Sequence, residues 1–245
     1  MLSCYARSRS RGLLQIILGL FFVTETLSAQ SPDYKAIFGD NWKKAEQFVA
    51  ENREWMQPAI EKSGIPYPEA IAVIFPELVR YSALRDRIEI SLLKTLYINL
   101  GEEYANFSIG AFQMKPSFAE KIRSRTSEIK DGHIRHIFRK KSNYKSVREM
   151  RASIVADLED PRQQLNYLIA FIEICNSGFK LPEGEERIQF LATAYNYDFT
   201  RTEAEINQME NARFFTTRLF KTENYYSYSD VSLFWYKCYL SGTEQ

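Results

Sequence analysis

Residues 72–82 read AVIFPELVRYS, an apolar stretch in which one carboxylate, Glu77, directly follows a proline. An ionised carboxylate in apolar surroundings is costly unless it is paired, and its pKa usually rises there instead. Glu77 is therefore either an exposed residue on the rim of a helix or a working acid, and this stretch alone leaves both interpretations open.

The residues around Glu77 predict a helix over 68–82. Pro68 suits the first helical position, where a missing N–H costs nothing. Because nearly every residue of the segment is apolar, we expect a central, buried helix. Pro76 has no N–H to donate to the carbonyl of Ala72, so the helix should bend just before Glu77 and re-aim its side chain.

Helical periodicity extends over most of the remaining chain. Segments 39–62 and 83–104 carry apolar residues at three- and four-residue steps. The pair Asp160–Pro161 is typical of a helix start. The tail over 214–240 is rich in aromatic residues and offers at most a short strand. We therefore predict a mainly α protein with little or no sheet.

The composition excludes some classes of function. The chain has 245 residues and a formal net charge of +1, which gives no support to nucleic-acid binding. Its two histidines, His133 and His136, lie in a basic segment over 121–151 with no third ligand nearby, so we predict no metal and no cofactor. This basic segment resembles an insertion and is typical of a solvated surface, although it could also bind an anionic polymer.

The first 29 residues differ from the rest. Three arginines precede the apolar core GLLQIILGLFFV, and LSA follows before Gln30. This pattern predicts a signal peptide over 1–29. We expect an exported protein, periplasmic or secreted, with no integral membrane span after cleavage. Residues 30–62 would then form an N-terminal helical segment packed on a domain over 63–245, and Cys175 and Cys238 could be bridged or free.

Four segments carry the residues best suited to chemistry. They are AIAVIFPEL over 70–78, SIGAFQMKPSFA over 108–119, EDPRQQLNYLIAFI over 159–172 and FLATAYNYDF over 190–199. In this order they resemble the lysozyme-like superfamily, and most closely its soluble lytic transglycosylase domain. That family has an apolar helix ending in a catalytic Glu, a Gly-Leu-Met-Gln-type turn, a helix opened by Asp-Pro and an Ala-Tyr-Asn segment.

The resemblance implies a helical domain with a two-lobed cleft and assigns roles within it. Glu77 would be the catalytic acid, and the substrate-binding residues would be Ser108, Gly110, Phe112, Gln113, Tyr195 and Asn196. The amides of Gln113 and Asn196 suit N-acetyl and hydroxyl groups. Core packing remains the alternative for Phe112 and Tyr195, and turn or helix capping for the two amides.

The sequence also departs from this family. Gly-Ala-Phe-Gln replaces the usual Gly-Leu-Met-Gln, and Leu78 stands where a serine often follows the Glu. These differences bear on the shape of the cleft more than on the acid.

The resemblance implies a bacterial enzyme that cuts the MurNAc–GlcNAc bond of peptidoglycan glycan strands. Retaining and inverting glycosidases use two carboxylates, and no partner for Glu77 stands out among Asp86, Glu89, Glu102 and Glu103. A lytic transglycosylase needs only one, since the sugar's own 6-hydroxyl closes a 1,6-anhydro ring. We therefore favour lytic transglycosylation, and keep a hydrolysing muramidase and a non-catalytic glycan-binding or envelope-assembly protein as alternatives.

Overall fold

The computed structural model describes residues 32–84, 90–105, 107–140, 143–217 and 224–243. The described chain is mainly helical with one two-stranded sheet, which confirms the predicted fold class at this coarse level. The predicted signal peptide over 1–29 lies outside the described residues. Within the described residues, no helix combines the length and the apolar character needed to cross a membrane.

The elements follow one another along the chain. The helices are α1 (Tyr34–Phe38), α2 (Asp40–Glu61), α3 (Tyr67–Leu84), α4 (Ile90–Leu100), α5 (Pro116–Ser124), α6 (Gly132–Lys140), α7 (Val147–Glu159), α8 (Pro161–Gly178), α9 (Gly184–Asn196), α10 (Glu203–Met209) and α11 (Tyr228–Thr243), with a 3₁₀ turn at Thr126–Glu128. Strands β1 (Arg213–Phe215) and β2 (Tyr226–Ser227) pair antiparallel ahead of α11.

Helix α3 lies at the centre of the core, as its apolar sequence predicts. It packs against α2, α9 and α11. The ring of Phe75 lies between Trp42 of α2 and Trp235 of α11, with ring centroids 4.6 Å and 5.0 Å away. The aromatic tail therefore completes the core through α11.

The helix continues through Pro76 and receives help from α11. The hydroxyl of Tyr228 donates to the carbonyl oxygen of Val73 at 2.9 Å, one residue beyond the carbonyl that Pro76 cannot reach. A buried carbonyl needs a hydrogen-bond partner, and a proline in a helix removes one nearby. The end of the chain therefore supports the helix at the point where proline weakens it.

Helix α4 is shorter than the predicted segment over 83–104. It ends at Leu100 because Gly101 takes φ +102°, a left-handed conformation that stops a helix. A turn over residues 101–104 follows, and residues 85–89 lie outside the described part of the chain. Helix α8 begins as predicted: the carboxylate of Asp160 accepts the N–H of Arg162 at 2.8 Å and caps it.

The basic segment over 121–151 is folded into α5, α6 and α7. One of its cations, Arg123, lies within the domain. It donates to the carboxylate of Asp157 at 2.7 Å and to the hydroxyl of Tyr167 at 2.6 Å. A solvated surface therefore describes only part of this segment. The thiols of Cys175 and Cys238 are both free.

Candidate functional site

Glu77 lies in the carboxyl-terminal half of α3, almost wholly buried at 4% exposure. Arg80, one helical turn further on, pairs with its carboxylate. Nη1 of Arg80 donates to both carboxylate oxygens, at 2.8 Å and 2.9 Å. A buried carboxylate needs such a partner when it is ionised. Sequence analysis missed Arg80, although its i, i+3 spacing from Glu77 was the signal that could have found it.

Burial raises the pKa of Glu77 above its ordinary range, and this effect exceeds the opposing attraction of Arg80 and Lys115. Two tyrosines from other helices lie close enough to the carboxylate to be influenced by its charge, Tyr195 of α9 and Tyr228 of α11. Burial, together with the nearby charge of Glu77, raises the pKa values of both tyrosines well above normal. Burial thus favours the protonated form of Glu77, and Arg80 is placed to pair with the ionised form.

Arg80 is itself held by the segment that follows β1. Its Nε donates to the carbonyl oxygen of Thr216 at 3.3 Å, and its guanidinium carbon lies 4.6 Å from the ring centroid of Phe215. Stacking on an aromatic face suits a guanidinium group. The orientation of Arg80 toward Glu77 therefore depends on a strand more than 130 residues away.

The second predicted segment forms a tight turn between Ile109 and Met114, whose N–H and C=O groups pair with each other at 2.9 Å and 3.2 Å. Gly110 has φ +71° and Gln113 has φ +48°. A left-handed conformation is uncommon for a residue with a side chain. The side-chain Nε2 of Gln113 donates to the carbonyl oxygen of Gly110 at 2.8 Å, which closes the turn.

Gln164 of α8 holds this turn through hydrogen bonds to its backbone. Its Oε1 accepts the N–H of Phe112 at 3.1 Å, and its Nε2 donates to the carbonyl oxygens of Ile109 and Leu158 at 2.6 Å and 2.8 Å. A Cβ placed on Gly110 would lie 2.1 Å from Nε2 of Gln164. Gly110 is therefore needed both for its backbone conformation and for this close approach. Sequence analysis singled out Asp160–Pro161 at the start of this helix and overlooked Gln164.

Helix α9 reaches the same turn at its carboxyl end. The hydroxyl of Tyr195 donates to the carbonyl oxygen of Phe112 at 2.8 Å. Asn196 and Tyr197 come next and are exposed. The hydrogen bond fixes the distance between the Ala-Tyr-Asn segment and the turn.

These elements surround a cavity of about 410 Å³. Five of the seven predicted site residues line it, namely Glu77, Ser108, Gln113, Tyr195 and Asn196. The other two support the turn instead. Phe112 is fully buried, so a ligand in the cavity cannot reach its ring, and Gly110 packs on Gln164. The substrate-binding roles of the five remain predictions.

Further charged groups line the cavity. Lys121 pairs with Asp198 at 2.8 Å, and Lys115 lies close enough to Glu77 to lower its pKa. Glu102 and Glu103, two of the carboxylates weighed as partners of Glu77, also line it. Asp86 and Glu89 lie outside the described residues.

The two histidines lie elsewhere, exposed on α6. Among the described residues, no three or more potential ligands cluster in a way that could hold a metal. The cavity around Glu77 offers proton transfer and hydrogen bonding through protein side chains.

Comparisons of this chain with models of protein families, with curated proteins and with solved structures find no match. The case for a function therefore rests on the chemistry of the cavity around Glu77.

Proposed function

We propose that this protein is an exported enzyme that cuts the MurNAc–GlcNAc bond of peptidoglycan by lytic transglycosylation. One observation carries the proposal. Glu77 is buried, its pKa is raised, and it opens into a cavity that also holds Gln113, Tyr195 and Asn196. An acid of this kind is what cleavage of a glycosidic bond requires, and the resemblance of the four segments to lytic transglycosylases supports the choice of substrate.

In the first step, protonated Glu77 gives its proton to the glycosidic oxygen. The bond from that oxygen to the anomeric carbon breaks, and positive charge develops on the sugar. Glu77 is then a carboxylate inside the protein, where an unpaired charge would be costly. Arg80, already 2.8 Å and 2.9 Å from the two oxygens, stabilises this form.

In the second step, the carboxylate takes the proton of the sugar's 6-hydroxyl while that oxygen bonds to the anomeric carbon. The product carries a 1,6-anhydro ring, and Glu77 has regained its proton. Burial favours the acid needed first and Arg80 favours the base needed second, so one side chain can serve both steps.

The amides of Gln113 and Asn196 are suited to the acetamido groups and hydroxyls of the sugars. Tyr195 has a different part in the proposal. Its hydroxyl is engaged with the carbonyl of Phe112, so Tyr195 positions the turn beside the acid.

A hydrolysing muramidase is the second candidate, because Glu102 and Glu103 line the same cavity as Glu77. Either carboxylate could activate a water molecule in place of the 6-hydroxyl. A non-catalytic glycan-binding protein is the third candidate. The Glu77–Arg80 ion pair favours it, since a paired carboxylate could serve structure alone.

Digestion of purified sacculi, followed by mass spectrometry of the released fragments, tests the proposal. We expect 1,6-anhydro ends from the parent protein and none from Glu77→Gln, with the circular dichroism spectrum unchanged. Reducing ends would establish the muramidase instead. Retention on sacculi without release of fragments would establish the binding protein.

A further inference from the structure

Helix α4 leaves much of its apolar surface exposed. Its sequence, ISLLKTLYINL, contains a single charged residue, Lys94. A helix that is apolar on all sides is normally buried. Of the α4 side chains that the structure describes, those of residues 91–100, only Tyr97 is buried. Leu92 is 65% exposed and Leu100 is 50% exposed, so this helix places large apolar groups in contact with water.

The exposed leucines belong to one face of the helix. Leu92, Leu96 and Leu100 follow one another at four-residue steps, and Leu96 is half-buried between its two exposed neighbours. Tyr104, 62% exposed, comes just after the helix, and Val147, 59% exposed, begins α7, which packs against α4. We call these five residues the α4 patch. Single exposed apolar residues are common on protein surfaces, whereas a group of them marks an interaction site.

Positive charge borders the α4 patch on the side of α7. Residues 139–151 contain six Lys or Arg and one Glu. Arg148 is exposed, and its Nε donates to Oδ1 of Asn99 on α4 at 3.0 Å. Lys145, three residues earlier, is also exposed. The one carboxylate, that of Glu149, accepts the backbone N–H of Lys145 at 2.8 Å. An anionic partner therefore fits this border better than a cationic one.

The size of the α4 patch argues against two other roles. With 11 residues, α4 is about 16 Å long, roughly half the thickness of the hydrocarbon core of a bilayer, so it can lie on a membrane but cannot cross one. One face of such a helix offers on the order of 300 Å², whereas a stable dimer buries about 800 Å² on each partner. A second copy of the chain would need more surface than the patch provides.

We propose that the α4 patch docks this protein on the surface of a lipid bilayer that carries anionic headgroups. In this arrangement the leucines enter the boundary between headgroups and acyl chains, as the apolar face of an interfacial helix does. Tyr104 lies at the level of the headgroups, where tyrosine is enriched, and Lys145 and Arg148 approach the lipid phosphates. The proposal stands on the exposed surface alone and does not depend on the proposed function.

The α4 patch is joined to the cavity around Glu77 by a short turn. Helix α4 ends at Leu100, Gly101 follows, and Glu102 and Glu103 line the cavity. The turn over 101–104 therefore carries the chain from the cavity to Tyr104 of the patch. A docked protein would hold its cavity close to the membrane surface.

Sedimentation with sucrose-loaded vesicles tests the proposal, with protein purified after export. One set of vesicles mixes phosphatidylglycerol with phosphatidylcholine, and the other contains phosphatidylcholine alone. Leu92→Ser is compared with Leu240→Ser, because Leu240 is an exposed leucine on a different helix, α11. Lys145→Gln is compared with Lys43→Gln, which removes an exposed cation from α2.

We expect the parent to bind the vesicles that contain phosphatidylglycerol and to bind phosphatidylcholine alone more weakly. Leu92→Ser should weaken binding to the anionic vesicles about threefold to tenfold, since one leucine no longer leaves water. Lys145→Gln should weaken it about threefold to fivefold, and by less at high salt, which screens surface charge. Leu240→Ser and Lys43→Gln should bind as the parent does, and all four variants should keep the circular dichroism spectrum of the parent.

Three results would overturn the proposal. The first is a parent that does not sediment with the anionic vesicles. The second is an equal loss of binding in Leu92→Ser and Leu240→Ser. The third comes from sedimentation equilibrium without lipid: a dimer of the parent that Leu92→Ser dissociates would assign the α4 patch to a second copy of the chain. None of these results bears on cleavage of sacculi, so the proposed function is tested separately.

Discussion

Arg80 donates from a single nitrogen, Nη1, to both carboxylate oxygens of Glu77, and its Nε is engaged with the carbonyl oxygen of Thr216. The guanidinium is thus held through Nη1 by a buried acid and through Nε by the residue that follows β1. Because Nη1 of Arg80 lies within 2.9 Å of both carboxylate oxygens and the acid is buried, the electrostatic influence of Arg80 on Glu77 is larger than that within an exposed pair.

Replacement of Arg80 by Gln should shift the pH dependence of cleavage. Arg80 lowers the pKa of Glu77, so its removal raises that pKa further, and Glu77 keeps its proton to higher pH. The alkaline limb of kcat/KM should move to higher pH. Lys43→Gln, which removes an exposed cation that does not line the cavity, should leave the limb in place. A limb that stays or moves to lower pH in Arg80→Gln would contradict the role of Arg80.

Stability should respond to pH through Glu77. Its pKa is raised in the folded protein, so between its ordinary value and the raised value the folded state binds more protons than the unfolded state. The free energy of unfolding of the parent should therefore fall as pH rises through that window. Urea unfolding of Glu77→Gln should lack this fall, whereas Glu51→Gln, at an exposed carboxylate, should retain it. Parallel curves for the parent and Glu77→Gln would refute the buried-acid assignment.

Two glycines with similar backbones separate conformation from packing. Gly64 has φ +73° with no atom within 4 Å of an added Cβ, and Gly110 has φ +71° with Nε2 of Gln164 at 2.1 Å. Gly64→Ala should lower the free energy of unfolding by about 1–2 kcal/mol, the cost of the left-handed conformation. Gly110→Ala should cost about 1–3 kcal/mol more, because the turn and Gln164 must move apart. Chemical denaturation gives both values, and equal losses would mean that Gln164 yields freely.

Gln113 should trade stability for function. Its left-handed backbone costs about 1 kcal/mol that glycine would not incur. Gln113→Gly and Gln113→Ala both remove the side-chain amide, which belongs to a residue that lines the cavity and which also closes the turn on Gly110, but only the first relieves the backbone. We expect cleavage to fall in both variants and Gly to exceed Ala in unfolding free energy by about 1 kcal/mol. Unchanged cleavage in both would remove Gln113 from the proposed site.

Strong local patterns made part of this structure predictable. Helices α2 and α3 lie within two residues of their predicted bounds, because their apolar residues recur over many turns. That Glu77, Gln113 and Tyr195 line one cavity was expected from a resemblance between motifs. Nothing in the residues between them indicates that proximity.

Other features depend on contacts that a linear pattern does not reveal. In the sequence, Arg80 resembles an ordinary cation towards the end of a helix. Its role in holding Glu77 becomes visible only in the fold, where Phe215 packs against its guanidinium. Gln164 reads as one of two adjacent polar residues on α8, yet it holds three backbone groups of the turn and its neighbourhood. Pairs separated by many residues are set by tertiary packing, which overrides local propensity.

The hydrogen bond from Tyr228 to Val73 has a consequence for how the protein is made. Synthesis runs from the amino end, so α3, the turn and α9 all emerge from the ribosome before α11 does. Until then the carbonyl of Val73 lacks the hydrogen bond from Tyr228, and the apolar surface that α11 covers is open. A chain released after residue 217 would carry Glu77 and every predicted residue of the cavity, and would still be without the helix that encloses them.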